Sequence, residues 1–206
     1  MSPILGVLLA GGQSRRMGGG DKNLRDLNGQ SILNRVIESA EKQVDHLIIN
    51  ANGAPERFLE YKLPVVEDSV GGHQGPLAGI LTGLEWASNH RPDVVWVMSF
   101  ATDAPFFPED LVEQLMSAIE NDQADIACAT SKGRSHPVFA LWPVRLKDDL
   151  HHALTVEEIR KIDRWTSRYH LVEVEFQAEP FDPFFNINRP EDLEKARLFI
   201  GTDSES

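Results

Sequence analysis

The sequence predicts a single-domain α/β fold, a mostly parallel open sheet flanked by helices, with a less regular C-terminal half. Three observations point there. Residues 4–10 form a nearly continuous apolar run, the pattern of a strand covered on both faces. Strand-like and helix-like segments then alternate, joined by loops of a few residues. The chain has 206 residues, 41% hydrophobic and 25% charged, enough for one substantial core without covalent cross-links.

The elements follow in order. After the strand at 4–10, a helix is predicted over 31–44, where Ile32, Leu33, Val36, Ile37, Ala40 and Val44 share one face. Residues 46–51 read as a strand through Leu47, Ile48 and Ile49, and 64–66 as a short one. A helix over 76–88 begins with Pro76 in its first turn. Residues 94–98, Val-Val-Trp-Val-Met, are the most strand-like of the chain. The next helix starts near Pro108 and carries Leu111, Val112, Leu115, Met116 and Ile119 on one side. Beyond it, 125–129 and 138–142 are expected as strands, and 144–165 as helical in one or two pieces. Residues 171–176 alternate with period 2, as a half-exposed strand does. Pro190 opens a last helix, with Glu191 and Asp192 suited to its first turn. No linker divides the chain, so residues 1–200 are expected as one domain and 201–206 as a polar, frayed tail.

Charge and cysteine usage narrow the function. A net charge of −12 argues against a nucleic-acid binder, which needs a basic face. Against that background Arg15, Arg16, Lys22 and Arg25 stand out as a local basic cluster. The single cysteine, Cys128, excludes an intramolecular disulfide and reads as a core residue. The apolar stretch at 4–10 is too short to span a membrane. With no secretory signal pattern at the start, a reducing cytoplasm is the expected compartment.

The basic cluster lies in residues 6–22, GVLLAGGQSRRMGGGDK. This is no Walker A loop, because Lys22 is preceded by Asp21 and followed by Asn23. Nor is it the dinucleotide fingerprint, since Gly18-Gly19-Gly20 is not continued by a glycine at the required offset. The context still suits phosphate: a buried strand, then glycines whose backbone N–H groups can form an anion nest, then cations. Ligands of open α/β sheets sit at the carboxyl ends of the strands. This loop, residues 50–52, Glu67-Asp68 and Asp103 all fall at such ends, so they are expected to converge on one crevice.

Leu9-Ala10-Gly11-Gly12-Gln13-Ser14-Arg15-Arg16-Met17-Gly18, with Asp21-Lys22 after it, resembles the signature of the nucleotidyltransferase superfamily. More narrowly the chain is similar to the molybdenum cofactor guanylyltransferases. Asn50-Ala51-Asn52, Glu67-Asp68, Gly75-Pro76-Leu77-Ala78-Gly79, Thr102-Asp103-Ala104-Pro105, His136-Pro137 and Asn186-Ile187-Asn188-Arg189-Pro190-Glu191 agree in the same order. Two departures stand out. Ala101-Thr102 precede Asp103 where the family often has a cysteine, and 154–165 lacks a glycine expected ahead of its Arg-rich turn.

The resemblance implies a Rossmann-like nucleotidyltransferase fold and transfer of GMP from GTP to molybdopterin, with Mg²⁺ as cofactor and pyrophosphate as by-product. It implies catalytic roles for Arg16, Lys22 and Asp103, the last as metal ligand. Leu9, Ala10, Gly11, Lys22, Asn50, Asp68 and Asp103 would hold GTP. Gly75, Gly79, Asn186 and Asn188 would serve the acceptor. Transient contacts with cofactor-assembly proteins and apo-molybdoenzymes are implied as well. Two rival readings share these residues: a cytidylyl- or sugar-1-phosphate nucleotidyltransferase, and a non-catalytic nucleotide-binding regulator. His136 is expected as a structural hydrogen-bonder, and the pair His151-His152 lacks metal-ligand spacing.

Overall fold

The computed structural model describes residues 2–11, 24–71 and 75–202. Strands β1 (Ile4–Leu9), β2 (His46–Asn50), β3 (Val65–Val66), β4 (Trp96–Ala101), β5 (Ile126–Ser131), β6 (Arg134–Pro143) and β7 (Leu171–Glu175) form one sheet. Their order is β3-β2-β1-β4-β6-β5-β7, and every pairing is parallel except those of β6. Helices α1 (Ile32–Glu41) and α3 (Leu111–Asp122) cover one face with β-strand side chains such as Leu8, Ile49, Met98 and Phe100. Helices α2 (Pro76–His90), α4 (Lys147–Thr155) and α5 (Ile162–Thr166) cover the other, over Val7, Ile48, Val97 and Trp142. Helix α6 (Pro190–Thr202) closes a smaller cluster with Leu27, Ile32 and Ile187.

Local chemistry explains the boundaries. Ser31 caps α1 by accepting the Asn34 N–H at 3.1 Å. The apolar helix α2 is buried along most of its length because Gly79 and Gly83 let it lie directly on the sheet. A Cβ at Gly83 would sit 3.2 Å from Val7 and Val97.

Three expectations are corrected, and a fourth, helix in one or two pieces over 144–165, is borne out. Strand β4 lies at 96–101 rather than 94–98, since a turn closed by Val94 N–H on the Arg91 carbonyl delays its start. It continues through the polar Ser99, whose hydroxyl donates to the Val138 carbonyl and accepts from the Trp142 indole. Strand β6 is twice the expected length. Lys132 and Gly133, both at positive φ, turn the chain back into a hairpin, and Pro137 sits where the register with β5 slips. The segment 144–165 breaks into a 3-10 turn, α4 and α5, with Glu158 at positive φ between the helices. Finally, α6 runs through Thr202, two residues into the expected tail.

Candidate functional site

Parallel register builds the site. Leu9 pairs with Asn50 on one side and Ala101 on the other, and Asn50 pairs with Val66. Four strands thus end in one row. Gly11, Asn52, Asp68 and Asp103 each lie two residues beyond it. The order of strands reverses between β1 and β4, because the chain moves from β1 out to β3 and returns to β4 on the far side of β1. Such a switch point is where open α/β sheets place ligands.

On the β2–β3 side, Asp68 is fixed from three directions. Asn50 Nδ2 donates to its Oδ1 at 2.9 Å, and Asn52 Nδ2 to its Oδ2 at 2.7 Å. The Asp68 N–H donates in turn to Asn52 Oδ1 at 2.9 Å. Asn50 is itself 3% exposed and also donates to the Val66 carbonyl. Its Oδ1 faces Gly79, where a Cβ would stand 2.3 Å away and 2.6 Å from Leu9 Cδ2. Gly79, expected on the acceptor side, is therefore a buried packing glycine that backs the Leu9–Asn50 row.

On the β4 side, Thr102 Oγ1 donates to the Leu9 carbonyl at 3.0 Å, locking the turn before Asp103 onto β1. The Asp103 carbonyl accepts the Ile187 N–H at 2.7 Å. Asn186 and Asn188 flank that bond, so residues over 80 positions apart in sequence meet here. Asp192 holds the backbone at 188 and 189 by accepting both N–H groups, at 3.0 and 2.9 Å. Asp103 is half-buried. Among the described residues no group of three His, Cys, Asp or Glu could hold a metal by itself. Arg16 and Lys22 lie outside the described residues, as does the rest of the loop at 12–23.

Gly75, at φ 71°, caps α2, and a Cβ added there would stand 3.9 Å from the Arg160 carbonyl oxygen. Beside it opens a cavity of about 810 Å³ between α5 and strands β5, β6 and β7, lined by Pro76, Pro137, Arg160, Lys161 and Tyr169 among others. Arg160 and Lys161 line this cavity, and neither was among the residues expected at the site. Their signal was two adjacent cations just ahead of a short helix, in a stretch read as helical and noted for its Arg-rich turn. Cys128 lies on the same wall. Burial pushes its thiol up to about 11, which keeps it protonated and inert. His136 is buried, with its pKa lowered by desolvation, and it contacts Ser131. No helix among the described residues is long and apolar enough to cross a membrane.

Comparison with known proteins gives a consistent result. The MobA-like NTP transferase domain matches residues 6–172. A molybdenum cofactor guanylyltransferase of Rhodopseudomonas palustris strain BisB5 is 54% identical over 96% of this chain and 94% of its own length. One from Nitrobacter hamburgensis is 50% identical over 98% and 96%. Among solved structures, molybdopterin-guanine dinucleotide biosynthesis protein A from Archaeoglobus fulgidus superposes with a TM-score of 0.73 at 25% identity, covering 96% of this chain and 99% of that one. The chain belongs to the molybdenum cofactor guanylyltransferases, enzymes of the MobA-like nucleotidyltransferase family.

Proposed function

We propose that the chain joins GMP from GTP to the terminal phosphate of molybdopterin, giving the guanine dinucleotide form of the cofactor and pyrophosphate. A phosphate oxygen of the acceptor attacks the α-phosphorus, the bond to the β-phosphate oxygen breaks, and pyrophosphate departs. The acceptor monoester has a second pKa of about 6 and is already largely dianionic at neutral pH, so no general base is required. The barrier lies in joining two polyanions and stabilising charge on the leaving group.

The observation that carries this reading is the flanking of the β1 terminus by two carboxylates in different settings. Asp68, clamped by Asn50 and Asn52, keeps further lone pairs for the N1–H and N2 amino donors of guanine. Asp103, half-buried across β1 beside a loop with two asparagines, suits a hard cation that takes oxygen ligands and uses one or two carboxylates plus substrate phosphates. Asp103 would hold Mg²⁺, and bound Mg²⁺ would neutralise charge on the phosphates. Backbone at Leu9, Ala10 and Gly11 approaches the nucleotide, while Arg16 and Lys22 neutralise the triphosphate. The cavity beside Gly75, with Arg160 and Lys161, takes the anionic acceptor, whose phosphate reaches the side of Asn186 and Asn188. The reading makes the chain a cytoplasmic enzyme that receives its acceptor from cofactor-assembly proteins and passes the product to apo-molybdoenzymes.

The test is release of pyrophosphate from GTP, Mg²⁺ and molybdopterin, with calorimetric binding of GTP and CTP. Turnover with GTP and loss of it in Asp103→Ala support the reading. CTP binding without GTP binding turns it to a cytidylyltransferase, and absence of turnover in the wild type leaves a nucleotide-binding regulator.

A further inference from the structure

We infer that Ser131, His136 and Asp182 form a positioning tether for the loop that carries Asn186 and Asn188. This rests on the reading that those asparagines serve the acceptor. Ser131, the last residue of β5, is fully buried. Its hydroxyl donates to Asp182 Oδ1 at 2.9 Å and lies 2.7 Å from His136 Nε2. A hydroxyl has one proton to donate, and here its hydrogen bond goes to the carboxylate. His136 Nε2 therefore carries its own proton and donates it to Ser131 Oγ. Asp182 Oδ1 also accepts the Phe184 N–H at 3.0 Å. Three bonds in series thus join β6, β5 and a loop 51 residues further along the chain.

The loop is pinned twice. Phe184, 2% exposed, packs against His136 with centroids 4.6 Å apart and against Phe139 and Phe176. Three residues later Ile187 N–H reaches the Asp103 carbonyl. Asn186 lies between the pins and Asn188 directly after the second. Residues 177–189 include no helix or strand, so no ladder of backbone bonds sets their path. A satisfied polar chain anchored on buried Ser131 and His136 selects one arrangement where apolar packing alone allows several. The His136-Pro137 pair gains a reason here: Pro137 lies at the register slip, and His136 is the last paired residue before it.

The experiment compares Ser131→Ala, Asp182→Ala, His136→Ala and His136→Gln in the full chain. GTP affinity, kcat, KM for molybdopterin and melting temperature are the readouts. The tether predicts that Ser131→Ala and Asp182→Ala lower kcat/KM for molybdopterin by about tenfold, with GTP affinity within about twofold of wild type. It also predicts that His136→Gln, which keeps an N–H donor, recovers most of what His136→Ala loses. Asp182 is half-exposed, so its variant keeps the test open if the Ser131 variant fails to fold. Wild-type kcat/KM in folded Ser131→Ala or Asp182→Ala, or equal losses in GTP binding and acceptor use, overturns the tether. An Asn186→Ala, Asn188→Ala double variant separates the two claims. If it is impaired while the tether variants are normal, the tether alone falls. If it has wild-type kcat/KM, the role of the loop falls and the tether with it.

Discussion

Gly79→Ala is a substitution whose sign is set by geometry. In an exposed helix interior, replacing glycine by alanine stabilises by about 0.5–1 kcal/mol. At Gly79 the new methyl would stand 2.3 Å from Asn50 Oδ1 and 2.6 Å from Leu9 Cδ2. Ordinary contact begins near 3.4 Å, so about 1 Å must be recovered by moving α2 or the Asn50 side chain. Overpacking costs about 1–3 kcal/mol, and a shortfall this deep belongs at the upper end. The helix-propensity gain is outweighed by roughly 2 kcal/mol, a fall in Tm of about 4–8 °C for a chain of this length. Because Asn50 also holds Asp68, displacing it loosens the carboxylate and weakens GTP by about fivefold, one hydrogen bond's net contribution. Gly83→Ala is the control. Its methyl meets Val7 and Val97 at 3.2 Å, a shortfall of a few tenths of an ångström, and touches no site residue. Thermal melting and GTP calorimetry on both variants check the argument. A Gly79→Ala protein with wild-type Tm and GTP affinity refutes it, as does an equal loss of GTP affinity in Gly83→Ala.

Other outcomes follow from the same geometry. Asp103→Asn removes the charge suited to a cation and should slow pyrophosphate release by about 100-fold or more, with GTP binding in the absence of Mg²⁺ little changed. Asn52→Ala deletes two of the bonds that hold Asp68 and should raise the GTP dissociation constant about fivefold, measured by calorimetry. Arg160→Ala with Lys161→Ala should raise KM for molybdopterin and leave GTP affinity unchanged; the reverse pattern would move the acceptor elsewhere. Burial raises the Cys128 thiol from 9.0 to about 11. As pH climbs through that window the unfolded chain releases its proton first, so stability present below pH 9 is lost toward pH 11. Two pH units amount to roughly 3 kcal/mol. The raised Tyr61 and Tyr169 act in the same direction at higher pH. Urea melts of wild type and Cys128→Ala across this range should differ in slope, and identical slopes would contradict the assignment.

Much of the first half was legible because its signals are local. An apolar run ended by glycines marks β1, and a one-sided apolar face marks α1. The residues that end the parallel strands could be named before their register was known, since parallel pairing brings strand ends together whatever their distance in sequence. The second half hid its structure in residues that break simple patterns. Ser99 interrupts an apolar strand and finds its hydrogen-bond partners on another strand, among them the Val138 carbonyl and the Trp142 indole. Pro137 disguises a long strand whose irregularity is a register slip. Gly79 was expected to let the acceptor approach, but what lies against it is Asn50.

The two sides of the site are built by different means, and their failures should differ accordingly. The nucleotide side rests on backbone ladders: the row Val66–Asn50–Leu9–Ala101 is set by parallel register, so a side-chain change there removes a contact and leaves the frame. The asparagine side rests on a loop without a ladder, held by Ser131, His136 and Asp182 at one end and by Asp103 at the other. Cutting one hydrogen bond there loosens a segment. Acceptor use is therefore expected to respond to substitutions remote from the acceptor, while GTP binding responds chiefly to residues at the strand ends.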